Sequence, residues 1–178
     1  NGTPADCVVI GVHNWEKVDV VLSGINFGAN LGNSIWHSGT VAAAKQATLL
    51  GLRGIALSMP ATRDEPNFDV LKPSVQVVLE ILLKDPQLTL VNVNFPEDRP
   101  KGLCWTRQSV RHYDGKVVPG EDPMGRKHFW FSVVPIEGTE EGTDRRAVEQ
   151  GYVSMTPLRL DLTNEKELTA AQARHPID

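Results

Sequence analysis

Hydrophobic and polar positions alternate in blocks along the first hundred residues, and these blocks predict strands and helices in turn. Short apolar runs bounded by turn residues predict strands at 18–23, 55–58 and 90–95. Capping residues and a 3.6-residue apolar period predict helices at 3–12, 40–50 and 70–84. The continuous apolar run of the first predicted strand suits a parallel sheet covered on both faces. The alternation of strands with helices favours an α/β fold with a doubly wound, mostly parallel sheet.

The pattern changes after Pro100. Two segments, 103–106 and 129–134, predict strands of an antiparallel hairpin or extension, with turn-rich sequence between them. A charged loop, a short helical turn, a strand and a helix are expected at 137–146, 147–150, 152–157 and 165–173. We therefore divide the chain into a core α/β domain (1–100), a β-hairpin extension (101–136) and a C-terminal segment (137–178) that is part core strand and part arm.

Length, composition and net charge restrict the class of protein to which this chain can belong. The chain has 178 residues, of which 40% are hydrophobic and 22% charged, values typical of one globular α/β domain. The net charge of −4 argues against a general surface for polymeric nucleic acid. No apolar run is long enough to cross a membrane. The two cysteines, Cys7 and Cys104, form no ligand motif, and we interpret them as reduced, buried thiols of a cytoplasmic protein.

A loop rich in glycine and asparagine follows the strand predicted at 18–23 and carries the strongest functional signal. Its glycine and asparagine residues are Gly24, Asn26, Gly28, Asn30, Gly32 and Asn33. It ends at Ser38-Gly39-Thr40, directly before a predicted helix. Free backbone N–H groups and a helix N-terminus at the carboxyl end of a strand bind anions, phosphate above all. The alternative is that these residues only cap the helix.

Asn26 is the candidate metal ligand, because its amide oxygen suits Mg²⁺ or Mn²⁺. The alternative is a turn asparagine in a left-handed conformation, and Asn30 and Asn33 are interpreted as turn residues. Asp144 is interpreted as the cap of a short helix. The chain contains no pair of carboxylates with evident acid–base spacing and no Ser-His-Asp arrangement.

A basic stretch lies within this acidic chain. It comprises Arg107, Arg111, His112, Lys116, Arg126, Lys127 and His128. These residues either draw an anionic substrate towards the site or form a solvated hairpin face or an interface with another subunit.

Several long motifs, in order, resemble the survival protein SurE family. They are Asp-Val-Val-Leu-Ser-Gly-Ile-Asn-Phe-Gly-Ala-Asn-Leu-Gly at 19–32, Ser-Gly-Thr-Val-Ala-Ala-Ala at 38–44, Gly-Leu-Arg-Gly-Ile-Ala-Leu-Ser at 51–58, Val-Asn-Val-Asn-Phe-Pro at 91–96, Asp-Pro-Met-Gly-Arg at 122–126, Gly-Thr-Asp at 142–144 and Gly-Tyr-Val-Ser-Met-Thr-Pro-Leu at 151–158. The resemblance covers nearly the whole chain.

The resemblance implies a Rossmann-like fold with a protruding hairpin and a C-terminal helical arm exchanged between the subunits of a homodimer or homotetramer. It implies metal-dependent hydrolysis of nucleoside monophosphates to nucleoside and phosphate. Carried over to this chain, the metal ligand is Asn26, and the phosphate-binding residues are Gly24, Ser38, Gly39 and Thr40. The implied cofactor is a divalent cation, Mg²⁺ or Mn²⁺.

The family pattern also begins with a strand ending in Asp-Asp-Gly, and a serine follows in a later loop. These three ligands have no counterpart in the 178 residues, and no catalytic residue is assigned. We therefore expect that an N-terminal part, with the first strand and its loop, is missing from this sequence. The alternatives are a non-catalytic nucleotide- or phosphate-binding module and a truncated, inactive form of the enzyme.

Overall fold

The computed structural model describes residues 2–61, 68–110, 113–135 and 138–175. The helices are α1 (Pro4–Asn14), α2 (Gly39–Leu49), α3 (Lys72–Lys84), α4 (Asp144–Glu149) and α5 (Glu165–Arg174). The strands are β1 (Val20–Phe27), β2 (Arg53–Met59), β3 (Leu90–Asn94), β4 (Leu103–Trp105), β5 (Tyr113–Glu121), β6 (Lys127–Pro135) and β7 (Val153–Pro157). Single 3-10 turns lie at Gly32–His37 and Phe68–Val70.

The main sheet has the strand order β1-β2-β3-β7-β4. Strands β1, β2 and β3 run parallel, β7 runs antiparallel to β3, and β4 runs parallel to β7. Strands β5 and β6 form a separate antiparallel sheet. The predicted fold class, α/β with a mostly parallel sheet and a hairpin extension, is confirmed.

The two faces of the main sheet differ in chemistry because consecutive side chains of a strand point to opposite faces. One face packs against α3 through a cluster of buried apolar side chains that includes Ile55, Val91, Val93, Met155 and Leu82. On the other face, α2 covers a smaller apolar cluster. Beside that cluster lies a row of buried polar side chains: Ser58, Asn92, Asn94, Ser154 and Thr156.

Helix α1 begins with a complete capping box. The Thr3 side chain accepts from the Asp6 N–H, and the Asp6 carboxylate accepts from both the N–H and the hydroxyl of Thr3, at 2.7 and 2.8 Å. No α1 residue is buried, and Ile10 is 61% exposed. The helix lies against α2, where the ring of Pro4 adjoins Gly39. The helix predicted at 3–12 is therefore confirmed, but as a surface element.

Strand β4 departs from the sequence interpretation. Its segment was predicted to pair with the strand at 129–134, but it pairs with β7 in the main sheet. The partner of β6 is β5, which includes Asp114 and Gly115 from the segment predicted as turns. Strand β1 also continues to Phe27, four residues beyond its predicted end. The division into segments 1–100, 101–136 and 137–178 stays a prediction.

The hairpin and the C-terminal helix contribute little to the core. Phe129, Trp130 and Phe131 of β6 are 71%, 67% and 63% exposed, and α5 has no buried residue. Along the described ranges, no helix is both long and apolar enough to cross a bilayer.

Candidate phosphate and metal site

The end of β1 is shaped by a close approach of two backbones. Gly24 has φ +130°, and a Cβ built there would lie 2.2 Å from the carbonyl oxygen of Leu57 in β2. Only glycine fits without displacing backbone. The β1–β2 register shifts at Gly24 and Ile25 before Asn26 pairs with Ser58. Asn26 thus lies one residue before the end of β1, where the chain enters the rest of the loop.

The Asn26 side chain has a defined orientation. Its Nδ2 donates to the carbonyl oxygen of Gly28 at 2.6 Å, and the Gly28 N–H donates to the carbonyl oxygen of Met59 at 2.8 Å. Because the amide nitrogen is committed to Gly28, Oδ1 is the atom of this side chain that can accept or coordinate. The side chain is half-buried, so it combines fixed geometry with access to solvent.

At the other end of the loop, Ser38 caps α2. Its Oγ accepts from the Val41 N–H at 3.1 Å. Gly39 and Thr40 occupy the first turn, where backbone N–H groups have no acceptor within the helix. Ser38, Gly39 and Thr40 are all half-buried, so the first turn remains accessible. The structure thus shows the capping role and leaves the two following N–H groups for an anion.

Asn30 is more than the turn residue that the sequence suggested. It is 7% exposed and lies over the polar row of the sheet. Its N–H donates to Asn94 Oδ1 at 2.8 Å and its Nδ2 to Ser58 Oγ at 2.7 Å. Its carbonyl oxygen accepts from Nδ2 of Asn92 and of Asn94. The loop between β1 and α2 is therefore anchored to β2 and β3 at its centre.

Asp144 is a second anchor that the sequence reading missed. The cap of α4 is Thr143, whose Oγ1 accepts from the Arg146 N–H, whereas Asp144 is completely buried. Its Oδ2 accepts from the Gly32 N–H at 2.7 Å, and its Oδ1 accepts from the Ser109 N–H at 2.9 Å. The interpretation of Asp144 as a helix cap is thus wrong, because its carboxylate joins other elements.

Cavities adjoin the loop on two sides. One of about 630 Å³ is lined by Ala29 and Leu31 and by the segment after β3, with Arg99 and Lys101 at its wall. Another of about 550 Å³ is lined by Trp36 and by the chain that follows β4 and β7. Neither cavity is lined by Asn26 or by Ser38, Gly39 or Thr40, so the two cavities adjoin the loop without marking the candidate site.

The predicted basic stretch does not form one surface. Arg107 pairs with Glu140 near α4, and Arg126 pairs with Asp122 at the hairpin turn. The pKa of the Asp122 carboxyl is lowered, first by the Arg126 backbone N–H and also by the Arg126 side chain. Arg111 and His112 lie outside the described residues. The stretch as a whole therefore does not form one positive surface that could draw an anionic substrate towards the site.

Asn26 offers a donor atom that suits the predicted divalent cation. Asn26 Oδ1 is a hard oxygen donor of the kind that Mg²⁺ and Mn²⁺ accept, and its half-buried position suits a ligand. Within the same described ranges, no three His, Cys, Asp or Glu side chains are grouped to hold a metal ion. Asn26 therefore fits one ligand position of the predicted cation.

Comparisons with known proteins identify the family of this chain. The family model described as survival protein SurE matches residues 1–115. A protein named 5'-nucleotidase SurE 1 from Thermus thermophilus is 45% identical over 165 residues, which are 92% of this chain and 66% of that protein. A 5'-nucleotidase SurE from Geotalea uraniireducens is 40% identical over 178 residues, covering 96% and 72% of the two chains.

The chain is also similar in structure to a solved protein of the same family. The crystal structure of the SurE protein from Aquifex aeolicus superposes with a TM-score of 0.80 at 42% identity, covering 98% of this chain and 73% of that one. The chain thus spans roughly two thirds to three quarters of the length of these relatives. The chain belongs to the survival protein SurE family.

Proposed function

We propose that this protein is a metal-dependent phosphomonoesterase that hydrolyses nucleoside monophosphates to nucleoside and phosphate. The observation that carries the proposal is the pairing of two features at the ends of one anchored loop: the oriented amide of Asn26 and the accessible first turn of α2. The names of its relatives, 5'-nucleotidase SurE, support the substrate class.

The phosphoryl group would bind at Ser38, Gly39 and Thr40. The backbone N–H groups of Gly39 and Thr40 can donate to phosphoryl oxygens, and the positive end of the helix dipole favours the negative charge. Gly39 has no side chain to keep the phosphate from the backbone. Negative charge that grows on these oxygens during hydrolysis would be stabilised by donors that are already in place. Gly24 would form the floor of the same site.

Asn26 would contribute one oxygen ligand to a divalent cation, Mg²⁺ or Mn²⁺. When bound, such an ion neutralises phosphate charge and lowers the pKa of water. The Gly28 carbonyl holds the Asn26 amide nitrogen, which would leave Oδ1 as the coordinating atom. We further propose a cytoplasmic homodimer or homotetramer, with no polymeric nucleic acid and no membrane as partner.

Turnover of a nucleoside monophosphate tests the proposal, and Asn26→Ala tests the site. Partners one shell away from a metal contribute about 10–100-fold to affinity or activity, so a direct ligand contributes at least as much. We expect Asn26→Ala to lower kcat/KM by about 100-fold and to weaken Mn²⁺ binding measured by calorimetry. Asn33→Ala, in the same loop, is the matched control and should leave both unchanged.

A purely binding module would behave differently. It would be stabilised by nucleoside monophosphate, measured as a rise in Tm, but would release no phosphate. The proposed enzyme releases inorganic phosphate, and its Tm rises with nucleotide mainly when metal is present. Full stabilisation without metal, together with no phosphate release, would contradict the enzymatic proposal.

A further inference from the structure

The carboxylate of Asp144 is the most completely engaged buried charge among the described residues. It is 0% exposed and accepts three backbone N–H groups, from Gly32, Ser109 and Arg145, at 2.7, 2.9 and 2.8 Å. Hydrogen bonds to a charged acceptor are shorter and stronger than neutral ones. The Arg145 N–H lies in the first turn of α4, which Thr143 caps, whereas the contacts to Gly32 and Ser109 reach other parts of the fold.

Of the three donors to Asp144, Gly32 is the one that belongs to the loop between β1 and α2, and it lies 112 residues earlier in the chain. Its N–H donates to Asp144, and its carbonyl oxygen accepts from Gln108 Nε2 at 3.0 Å. Both polar groups of the Gly32 backbone are therefore held by residues that follow β4 or open α4. Such a contact fixes the middle of the loop against a separate part of the fold.

Gly32 is also the first residue of the 3-10 helix Gly32–His37, which leads directly into the cap Ser38. A short helical segment transmits the position of its first residue to its last. The place where α2 begins, and with it the direction of the Gly39 and Thr40 N–H groups, therefore depends on where Gly32 is held.

We propose that Asp144 is a positioning residue of the phosphate-binding turn: it holds Gly32 so that the first turn of α2 presents its N–H groups to phosphate. This inference rests on the proposed function for the identity of the ligand. It does not rest on it for the mechanical link between Asp144 and α2, which can be measured without ligand. Asp144 acts through Gly32 and does not itself contact the phosphate.

Asp144→Asn is the decisive variant because it preserves shape. An amide nitrogen cannot accept, so one of the N–H groups of Gly32 and Ser109 loses its partner. We expect the affinity for inorganic phosphate, measured as product inhibition, to fall about tenfold. Asp85→Asn is the matched control, since Asp85 is an exposed carboxylate that accepts one N–H, from Gln87, beyond α3. It should leave phosphate affinity unchanged.

Amide hydrogen exchange, measured without ligand, separates this proposal from the proposed function. We expect Asp144→Asn to speed exchange at Gly32 and at Ala42, whose N–H donates to Ser38. Unchanged exchange at Ala42 and unchanged phosphate inhibition in folded Asp144→Asn would overturn the positioning role. If the wild type neither binds nor releases phosphate, the proposed function fails while the exchange result still decides the link.

A second variant covers the case in which Asp144→Asn does not fold. Gln108→Leu removes the donor to the Gly32 carbonyl from a half-buried position and leaves the buried carboxylate intact. The same loss of phosphate affinity and the same faster exchange at Ala42 are expected, each smaller than in Asp144→Asn. Wild-type values for both in Gln108→Leu would overturn the proposal.

Discussion

At the residue scale, the site depends on positions where the conformation and close approach of the backbone decide which residue type is tolerated. Gly24 combines φ +130° with a Leu57 carbonyl oxygen at 2.2 Å from the position of a Cβ. An L-residue there meets both backbone strain and a steric clash with another strand. The end of β1, and therefore the position of Asn26, depends on this single glycine.

Gly24→Ala should lower the free energy of unfolding by about 3 kcal/mol, because strain and clash add. Gly51→Ala is its control, since Gly51 has φ +78° but no atom within 4 Å of the added Cβ. That variant isolates the strain, and we expect a loss of about 1 kcal/mol. Urea unfolding of both variants measures the difference, and equal losses would contradict the clash with Leu57.

Individual residues also show which parts of the site could be predicted from the sequence and which could not. Asn26, Ser38 and Thr40 could be singled out because a strand end, a loop and a helix start are local patterns. Asn30 and Asp144 could not, because their partners lie 64 and 112 residues away. A local signal for Asn30 did exist: asparagines alternate with valines at 91–94, which is the pattern of a strand with one polar face.

At the element scale, β3 contributes both to the apolar core and to the anchoring of the loop between β1 and α2. Val93 and Asn94 are adjacent and fully buried, yet they face opposite sides of the sheet. Val93 belongs to the apolar cluster against α3, whereas Asn94 holds the Asn30 backbone. One strand therefore stabilises the core through one face and positions the functional loop through the other.

Val93→Ala and Asn94→Ala should separate these roles. Each should lower stability by about 2 kcal/mol, the first by creating a cavity and the second by leaving a buried N–H unpaired. Only Asn94→Ala should also reduce kcat/KM for a nucleoside monophosphate, about tenfold. Equal activity losses in the two variants, compared at matched fractions folded, would contradict the division between the faces.

The start of α1 should respond to acid. The pKa of Asp6 is lowered, first by the Thr3 backbone N–H and then by the Thr3 hydroxyl. Because the folded pKa lies below the unfolded one, the stabilisation is complete above the unfolded pKa, near 3.8. It is lost as pH falls through the lower folded pKa. The first turn of α1 should therefore loosen only in strong acid.

Thr3→Ala should raise the pKa of Asp6 towards its ordinary value, measured by NMR titration of the carboxyl group. Thr169→Ala, at an exposed threonine of α5, is the control and should leave the Asp6 titration unchanged. The Thr3 N–H remains in this variant, so an Asp6 midpoint that does not move would exclude only the Thr3 hydroxyl as a cause of the lowered pKa.

The sequence predicted the positions of the longer elements, but it did not predict the pairing of the short strand β4. Helix α3 and strands β2 and β3 have enough residues for an apolar period, and they lie where it predicts. Strand β4 has only three residues, too few to indicate a partner, so proximity in sequence favoured the hairpin. Its pairing with β7 comes from tertiary packing across about 50 residues, which a local pattern does not contain.

At the scale of the whole molecule, the β5–β6 hairpin leaves aromatic surface uncovered. A two-stranded hairpin alone is marginally stable in water, and clustered exposed aromatics mark interaction sites. Phe129 and Phe131 alternate along β6 and so share one face of the hairpin. This arrangement favours the predicted homo-oligomer, with the hairpin as part of the contact.

Replacing Phe129 and Phe131 together by serine should therefore lower the mass measured by light scattering. Leu49→Ser is the control, since Leu49 is 65% exposed on α2, outside the hairpin, and it should leave the mass unchanged. An unchanged mass in the double variant would remove the hairpin from the oligomer contact.

A titration of the ¹⁵N-labelled protein with a nucleoside 5'-monophosphate, followed at each backbone amide, tests phosphate binding at α2 most directly. Saturable shifts are expected at Gly39 and Thr40, and they should disappear when the nucleoside lacks its phosphate. Saturable shifts confined to other surfaces, with Gly39 and Thr40 unchanged, would contradict the assignment of phosphate to the first turn of α2.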